Sequence, residues 1–441
     1  MIKRLFLALV VVMMIFIPQI TSAAELNTAE LRLVCALSSM ASYEDDNGVL
    51  VRDMLKNYGW SIETINDETS KANAKALIVS KKLKDGSFTK VLAICGTDEI
   101  KDAEVDFRLK QVPAKFNAGS SNVTDNANDN VDPYGSEDNQ IMVHQGFKDY
   151  SEVILKDNFG MNLVKELNSN PNERLYLTGH SLGGAVAIIT ATKLIDLGAA
   201  ADRIEVVTFG APAVGNKGFA NEYKDKLHLT RVTMSGDPIK KSLQVLGYVH
   251  FGDVIKYNQD KKMVKHFPHK MSVYLDCAIR DYYDAKFKTD SQEETTQPQV
   301  SNAELIYIAP MQIMKNSFSK DEFKYIKAAM KDQMRHHFPT AVYDETEYRE
   351  VDEIDELADF DNTIEDVLTK AAALNCKYVL VYYLQAKKIK DDIDSNYRVS
   401  LEEMRYNLKG FPISMQTASV TTKELTMIES AIFTLENLNR K

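Results

Sequence analysis

The sequence predicts an α/β protein: a mostly parallel sheet flanked by helices, followed by a second, smaller α/β domain. Three observations carry this. Short apolar strand patterns alternate with helical ones from about residue 61 to residue 285, as in an open parallel sheet. A polar tract over 286–302, with Gln and Thr repeats and Pro298, breaks that alternation and reads as a linker. A fresh set of strand and helix patterns then fills 303–441.

Residues 1–23 have the layout of a cleavable targeting segment: Lys3 and Arg4, an apolar run from Leu5 to Ile17, then Thr21-Ser22-Ala23. The apolar run is short for a membrane span, and Pro18 ends it. The expectation is an exported protein, periplasmic or secreted, whose first domain covers 24–285. A chain of 441 residues has room for two or three domains. The net charge of −10, with no basic stripe, excludes nucleic acid as a main partner. Cys35, Cys95, Cys277 and Cys376 are spaced like no metal site, and no metal or cofactor is called for.

In chain order, Leu31, Val34, Cys35, Leu37 and Met40 give an apolar helical stripe, and Asn47-Gly48 interrupts the run before Val49–Tyr58. Strand patterns follow at Ser61–Ile65, Ala74–Lys82 and Lys90–Cys95. Asn117–Asn139 is a polar, acidic loop, and it lacks the ligand spacing of a calcium loop. Helix resumes near Phe147. Leu175–Thr178 reads as a buried strand that turns into an Ala-rich helix at Leu182. Arg203–Phe209 and His228–Met234 read as strands, Tyr248–Tyr257 as an edge hairpin, and a helix opens at His269. In the second domain, Glu304–Pro310 is a short strand. Ser319 and Glu322 form a capping box, flanked by a Phe318–Phe323 staple. Asp344–Asp366 is acidic and reads as solvated surface, with a helix from Thr363. Tyr378–Leu384 is a strand, Tyr397–Leu401 and Arg405–Leu408 a β pair, and Thr421 with Glu424 caps a last helix.

The chemistry concentrates at Gly179-His180-Ser181-Leu182-Gly183, a G-x-S-x-G elbow in strand–turn–helix context. Ser181 at the corner has its hydroxyl exposed, and side chains at 179 or 183 would collide where helix folds back on strand. A serine hydroxyl is a poor nucleophile without a base and a group that orients the base. Asp237, in Ser-Gly-Asp-Pro at a strand end, is the preferred acid over Asp225 and Asp253, neither of which follows an inner strand. His269, on a loop at a helix start, is the preferred base over His266 and His250. An oxyanion needs two backbone N–H donors. Leu182 supplies one, and Thr97, after the strand ending Cys95-Gly96, is placed to supply the other.

In order along the chain, Ile94-Cys-Gly-Thr97, Val143-His-Gln-Gly-Phe147, Thr178-Gly-His-Ser-Leu-Gly-Gly-Ala185, Thr208-Phe-Gly-Ala-Pro-Ala-Val-Gly215, Gly236-Asp237-Pro238 and His269-Lys-Met-Ser-Val-Tyr274 resemble the landmarks of the lipase class 3 family of α/β-hydrolases, over about residues 28–283. The resemblance implies an α/β-hydrolase fold, Ser181, Asp237 and His269 as triad, Thr97 and Leu182 as oxyanion donors, and a lipid or ester substrate. It implies structural roles for His144 and His180. By the same likeness, Cys35 and Cys277 sit where some secreted members carry a disulfide. The long polar loop between Asp106 and Val143 departs from the family's short apolar lid, and Cys95 stands where the family often has Arg. Residues 303–438 are similar, weakly, to the N-terminal domain of TolB, which implies an envelope protein partner. The two readings are thus an exported ester hydrolase of lipase, phospholipase A or esterase type, and a non-catalytic envelope interaction protein.

Overall fold

The computed structural model describes residues 28–67, 74–83, 86–96, 110–114, 140–259, 262–289, 305–352, 357–389 and 396–438. The targeting segment at 1–23, Thr97, the polar 115–139 loop and most of the 286–302 linker lie outside the described residues.

Two helices open the described chain, α1 (Thr28–Ala41) and α2 (Asp46–Asn57), the second capped by the Asp45 carboxylate on Gly48 N–H. Strands β1 (Ser61–Asp67), β2 (Ala74–Lys82) and β3 (Phe88–Ile94) follow, then a short pair β4 (Gln111–Pro113) and β5 (Met142–His144). Next come α3 (Gln145–Ile154), α4 (Phe159–Ser169), β6 (Glu173–His180), α5 (Leu182–Asp196), β7 (Ile204–Phe209), α6 (Lys217–Tyr223), β8 (His228–Met234), β9 (Asp253–Tyr257) and α7 (Met271–Thr289). The main sheet has seven strands in the order β1-β2-β3-β6-β7-β8-β9. From β3 to β9 every pairing is parallel, and β1 and β2 are antiparallel additions at one edge. The expected edge hairpin at Tyr248–Tyr257 is instead a single parallel edge strand, β9, on β8.

The strands are apolar on both faces because both faces are covered. On β2, Leu77 and Val79 point into one apolar cluster while Ala76 and Ile78 point into the other. The second cluster takes up α3 to α6. The first takes up α1 and α7, and continues without a break into the C-terminal elements through Ile326, Met330, Ile428 and Phe433.

Those elements are β10 (Ile306–Ile308), β11 (Met311–Met314), α8 (Lys320–His337), β12 (Val342–Tyr343), β13 (Tyr348–Val351), α9 (Leu357–Ala373), β14 (Tyr378–Lys388), β15 (Tyr397–Asn407), β16 (Pro412–Thr421) and α10 (Met427–Leu438). β10 and β11 pair in parallel with successive parts of β14, on either side of Pro310. The capping box of Ser319 and Glu322 is present on α8. Three expectations are corrected here. Tyr397–Leu401 and Arg405–Leu408 belong largely to one strand, β15, paired with β14 and β16. The acidic stretch is not plain solvated surface: Tyr348–Val351 is a strand paired with β11, α9 begins at Leu357, and Asp344 is buried and accepts a hydrogen bond from Tyr307 at 2.6 Å. The last helix is capped by Thr426 and Glu429, with Thr426 N–H on Glu429 Oε2 at 2.8 Å, rather than by Thr421 and Glu424.

The Cys35–Cys277 disulfide is also absent. Both thiols are free and buried: Cys35 is on α1 with its thiol beside Thr178, and Cys277 Sγ is 3.4 Å from the Asn258 carbonyl and 3.5 Å from Lys262 Nζ.

Glu429 yields a stability prediction. It is wholly buried, and its Oε1 has no hydrogen-bond partner among the described residues. Burial pushes its pKa well above the usual carboxylate range. The folded state therefore keeps a proton that the unfolded state releases as pH rises past 4.5, so this group costs stability towards neutral pH. Glu429→Gln keeps an acceptor for Thr426 N–H. It is expected to raise Tm at pH 7 and leave it nearly unchanged at pH 4; equal shifts at both pH values would refute the assignment.

Candidate active site

β6 delivers the chain to the elbow and α5 takes it away. Ser181, between them, has φ 55° and ψ −125°, a backbone state L residues rarely adopt. The flanking glycines are obligatory. A Cβ on Gly179 would lie 2.3 Å from the Gly183 carbonyl carbon, and one on Gly183 would lie 2.1 Å from the Ile94 oxygen. Ser181 N–H is tied to the Phe209 carbonyl at 2.9 Å, which pins the corner to the end of β7.

The sequence-predicted residues meet. Ser181 Oγ is 2.8 Å from His269 Nε2, and His269 Nδ1 is 2.8 Å from Asp237 Oδ2. All three are buried, so the exposed Ser181 hydroxyl expected from sequence is corrected: among the described residues Ser181 is only 7% exposed. Asp237 follows β8 and His269 precedes α7, so three segments far apart in sequence supply the series. The Asp237 carboxylate is heavily solvated by protein. Its Oδ2 also accepts from Tyr274 OH at 2.5 Å, and its Oδ1 accepts from Ile239 N–H at 2.8 Å. Burial acts to raise its pKa, but these bonds together with His269 prevail and hold it below the usual carboxylate value. Leu182 is the first residue of α5, so its N–H lies in the first turn, where helix donors have no intrahelical acceptor.

The rival residues are engaged elsewhere. His250 Nε2 donates to the Lys240 carbonyl at 2.8 Å. His266 Nε2 donates to the Leu425 carbonyl at 3.1 Å. Asp253 is exposed in β9, and Asp225 is exposed beyond α6. His144 caps α3, its Nδ1 accepting from Phe147 N–H at 3.4 Å.

Two further contributors, Tyr274 and Gly210, were given no role from sequence, and His180, expected to be structural, is so. Tyr274, one and a half turns beyond His269, holds Asp237 as above. His180 Nε2 donates to the backbone carbonyl of His269 at 2.6 Å, while Tyr43 OH donates to His180 Nδ1 at 2.7 Å. Burial drops the His180 pKa to about 3, so this bridge is neutral and fixes the His269 backbone. Gly210 has φ +62°, and a Cβ there would fall 2.8 Å from Asp237 Oδ2 and 3.1 Å from His269 Nδ1. The C-terminal elements also hold the His269 loop. Glu322 Oε1 accepts Met263 N–H at 2.9 Å, and Glu424 pairs with Lys270 at 2.5 Å.

A mostly parallel sheet with a nucleophile elbow after an inner strand, and acid and base on later strand-end loops in the order Ser, Asp, His, is the architecture of the α/β-hydrolases. Residues 91–245 match the model of the family described as Lipase (class 3), so the resemblance read from the motifs holds for that segment. The match ends before residue 303 and lends nothing to the TolB likeness. Among curated relatives, a secreted mono- and diacylglycerol lipase A of Penicillium cyclopium is 34% identical over 98 residues, 22% of this chain and 32% of that protein. A secreted mono- and diacylglycerol lipase 1 of Fusarium solani is 36% identical over 111 residues, 24% of this chain and 32% of that protein. The matched stretch thus spans about a third of these relatives' length. Among solved structures, lipase II from Rhizopus niveus is 17% identical with a TM-score of 0.39, covering 56% of this chain and 85% of that one.

Proposed function

We propose that the protein is an exported serine carboxylester hydrolase acting on lipid esters. The observation that carries this is the continuous series Asp237–His269–Ser181, with the nucleophile at the strained corner between β6 and α5. His269 Nε2 takes the Ser181 proton as Oγ attacks the ester carbonyl. The tetrahedral oxyanion forms against the N–H groups of Leu182 and Thr97. His269 then protonates the leaving alcohol. Water, deprotonated by the same nitrogen, releases the acid from the acyl-enzyme. Asp237 keeps the Nδ1 proton on His269 and stabilises the imidazolium. No cofactor takes part.

The relatives' printed names support acylglycerols as the lipid class, and support export, as does the layout of residues 1–23. The polar composition of 110–140 favours substrates with a polar head group, of phospholipase A or esterase type. The test is a fluorophosphonate probe with peptide mapping, run beside an ester panel varying acyl length and head group. One adduct per chain on Ser181, with hydrolysis lost in step, is expected. Folded protein that hydrolyses the panel yet shows no Ser181 adduct would overturn the mechanism.

A further inference from the structure

A cavity of about 250 Å³ lies away from Ser181, where α1, α2 and α7 meet α8 and α10. None of Ser181, Asp237 and His269 lines it. Its walls are mostly aliphatic and aromatic, with Leu37, Trp60, Ile279 and Phe433 among them. The pocket is partly open to solvent, so a ligand can enter it and bury apolar lining that water now meets. Its volume exceeds that of the ~150 Å³ apolar cavity that takes up benzene. One cation stands at its wall. Lys81 Nζ donates to the Tyr58 carbonyl at 2.7 Å and sits 5.5 Å from the centre of the Trp60 ring, and no carboxylate pairs with it among the described residues. Two carboxylates share the lining: Asp332 is neutralised by Lys286 at 2.6 Å, and Glu30 stands half-buried on α1. An apolar chamber with an ammonium group at its edge is complementary to one ligand chemistry: a single alkyl chain ending in a carboxylate.

We infer that this chamber is a fatty-acid binding site, built jointly by the main-sheet helices and the C-terminal helices and separate from the Ser181 centre. The carboxylate pairs with Lys81 and the alkyl chain fills the space between α1, α7 and α10.

Trp60 is the sole tryptophan of the chain and lines the chamber, so its emission reports occupancy directly. The full chain, with Ser181 first blocked by a fluorophosphonate or replaced in Ser181→Ala, is titrated with 11-bromoundecanoic acid below its micelle concentration. Saturable quenching of Trp60, reversed by undecanoic acid, is expected. Lys81→Met is expected to weaken the acid at least tenfold while 11-bromoundecanol binds as before, and Lys81→Arg to retain binding. A thermal melt checks that each variant is folded. Absence of saturable quenching, unchanged acid affinity in folded Lys81→Met, or quenching seen only with Ser181 unblocked would each overturn the site. Because the deciding titrations are run with the Ser181 centre silenced, and the unblocked parent serves only as a control, the result stands or falls apart from the hydrolase reading.

Discussion

Ser181→Ala is expected to lower kcat for ester hydrolysis about 10⁶-fold, with KM little changed and the melting curve superimposable on that of the parent. The size follows from what the hydroxyl does. Its oxygen is the atom that would attack, and it is the group that His269 Nε2 meets at 2.8 Å. Without it, no covalent intermediate forms, and the base has only water to activate. The corner itself does not depend on the hydroxyl. Ser181 N–H keeps its bond to Phe209, Gly184 N–H keeps its bond to the Ser181 carbonyl, and alanine tolerates φ 55° no worse than serine. The small residual rate would come from bound substrate and oxyanion donors, which the substitution leaves in place. Initial-rate kinetics on purified protein check the prediction. Retention of even a hundredth of the parent kcat would place the nucleophile elsewhere.

The elbow was legible in the sequence because its constraint is local. Glycine at 179 and 183 is dictated by backbone atoms within a few residues or on the adjacent strand, where any Cβ collides. Buried strands were legible for a similar reason: Ala74–Lys82 and His228–Met234 are unbroken by turn residues and form strands over those same spans. What local pattern cannot carry is the identity of a partner far along the chain. Tyr274 fell in the helix expected from His269. That its hydroxyl would meet a carboxylate 37 residues earlier depends on how α7 crosses the end of β8. The Tyr43–His180 contact, across 137 residues, is of the same kind.

The corrected elements show the same limit from the side of charge. β15 read as two short strands because Glu402 and Glu403 interrupt its apolar pattern. Glu403 is buried, and it accepts a hydrogen bond from Tyr382 at 2.6 Å across the β14–β15 ladder. A charged residue in a strand reads as a break unless its partner is known. Two capping-box patterns follow one another at the start of α10, Thr421/Glu424 and Thr426/Glu429. The second is used, and Glu424 turns instead to Lys270, next to His269. The C-terminal region looked separable because its linker is polar. Yet the shared apolar cluster, the Met263–Glu322 bond and the His266–Leu425 bond make it part of what holds the His269 loop.

Asp237→Asn is expected to lower kcat about 10⁴-fold while the protein stays folded and Ser181 stays accessible to small phosphonates, though far more slowly. The argument is one of donors and acceptors. In the parent, Asp237 Oδ2 accepts from both His269 Nδ1–H and Tyr274 OH, and Oδ1 accepts from Ile239 N–H. An amide has one acceptor oxygen to offer. If that oxygen faces Ile239, the amide N–H₂ faces His269 Nδ1, which must become an acceptor. The ring proton then sits on Nε2, pointing at Ser181 Oγ, and the base can no longer accept the serine proton. If the amide turns over, its N–H₂ confronts Ile239 N–H, donor against donor, in a buried site. Gly210 leaves no slack for a third arrangement, since even a Cβ there would crowd the carboxylate at 2.8 Å. The two effects predict a particular pH response. A carboxylate held below its usual pKa stays ionised through the neutral range, so the parent's dependence on Asp237 is flat there. Loss in the variant should therefore be present across neutral pH and not confined to its acid side. A profile of kcat/KM against pH for parent and variant decides it. A variant that recovers parent activity at any pH between 6 and 9 would show that neither the charge of Asp237 nor its choice of the His269 tautomer is needed.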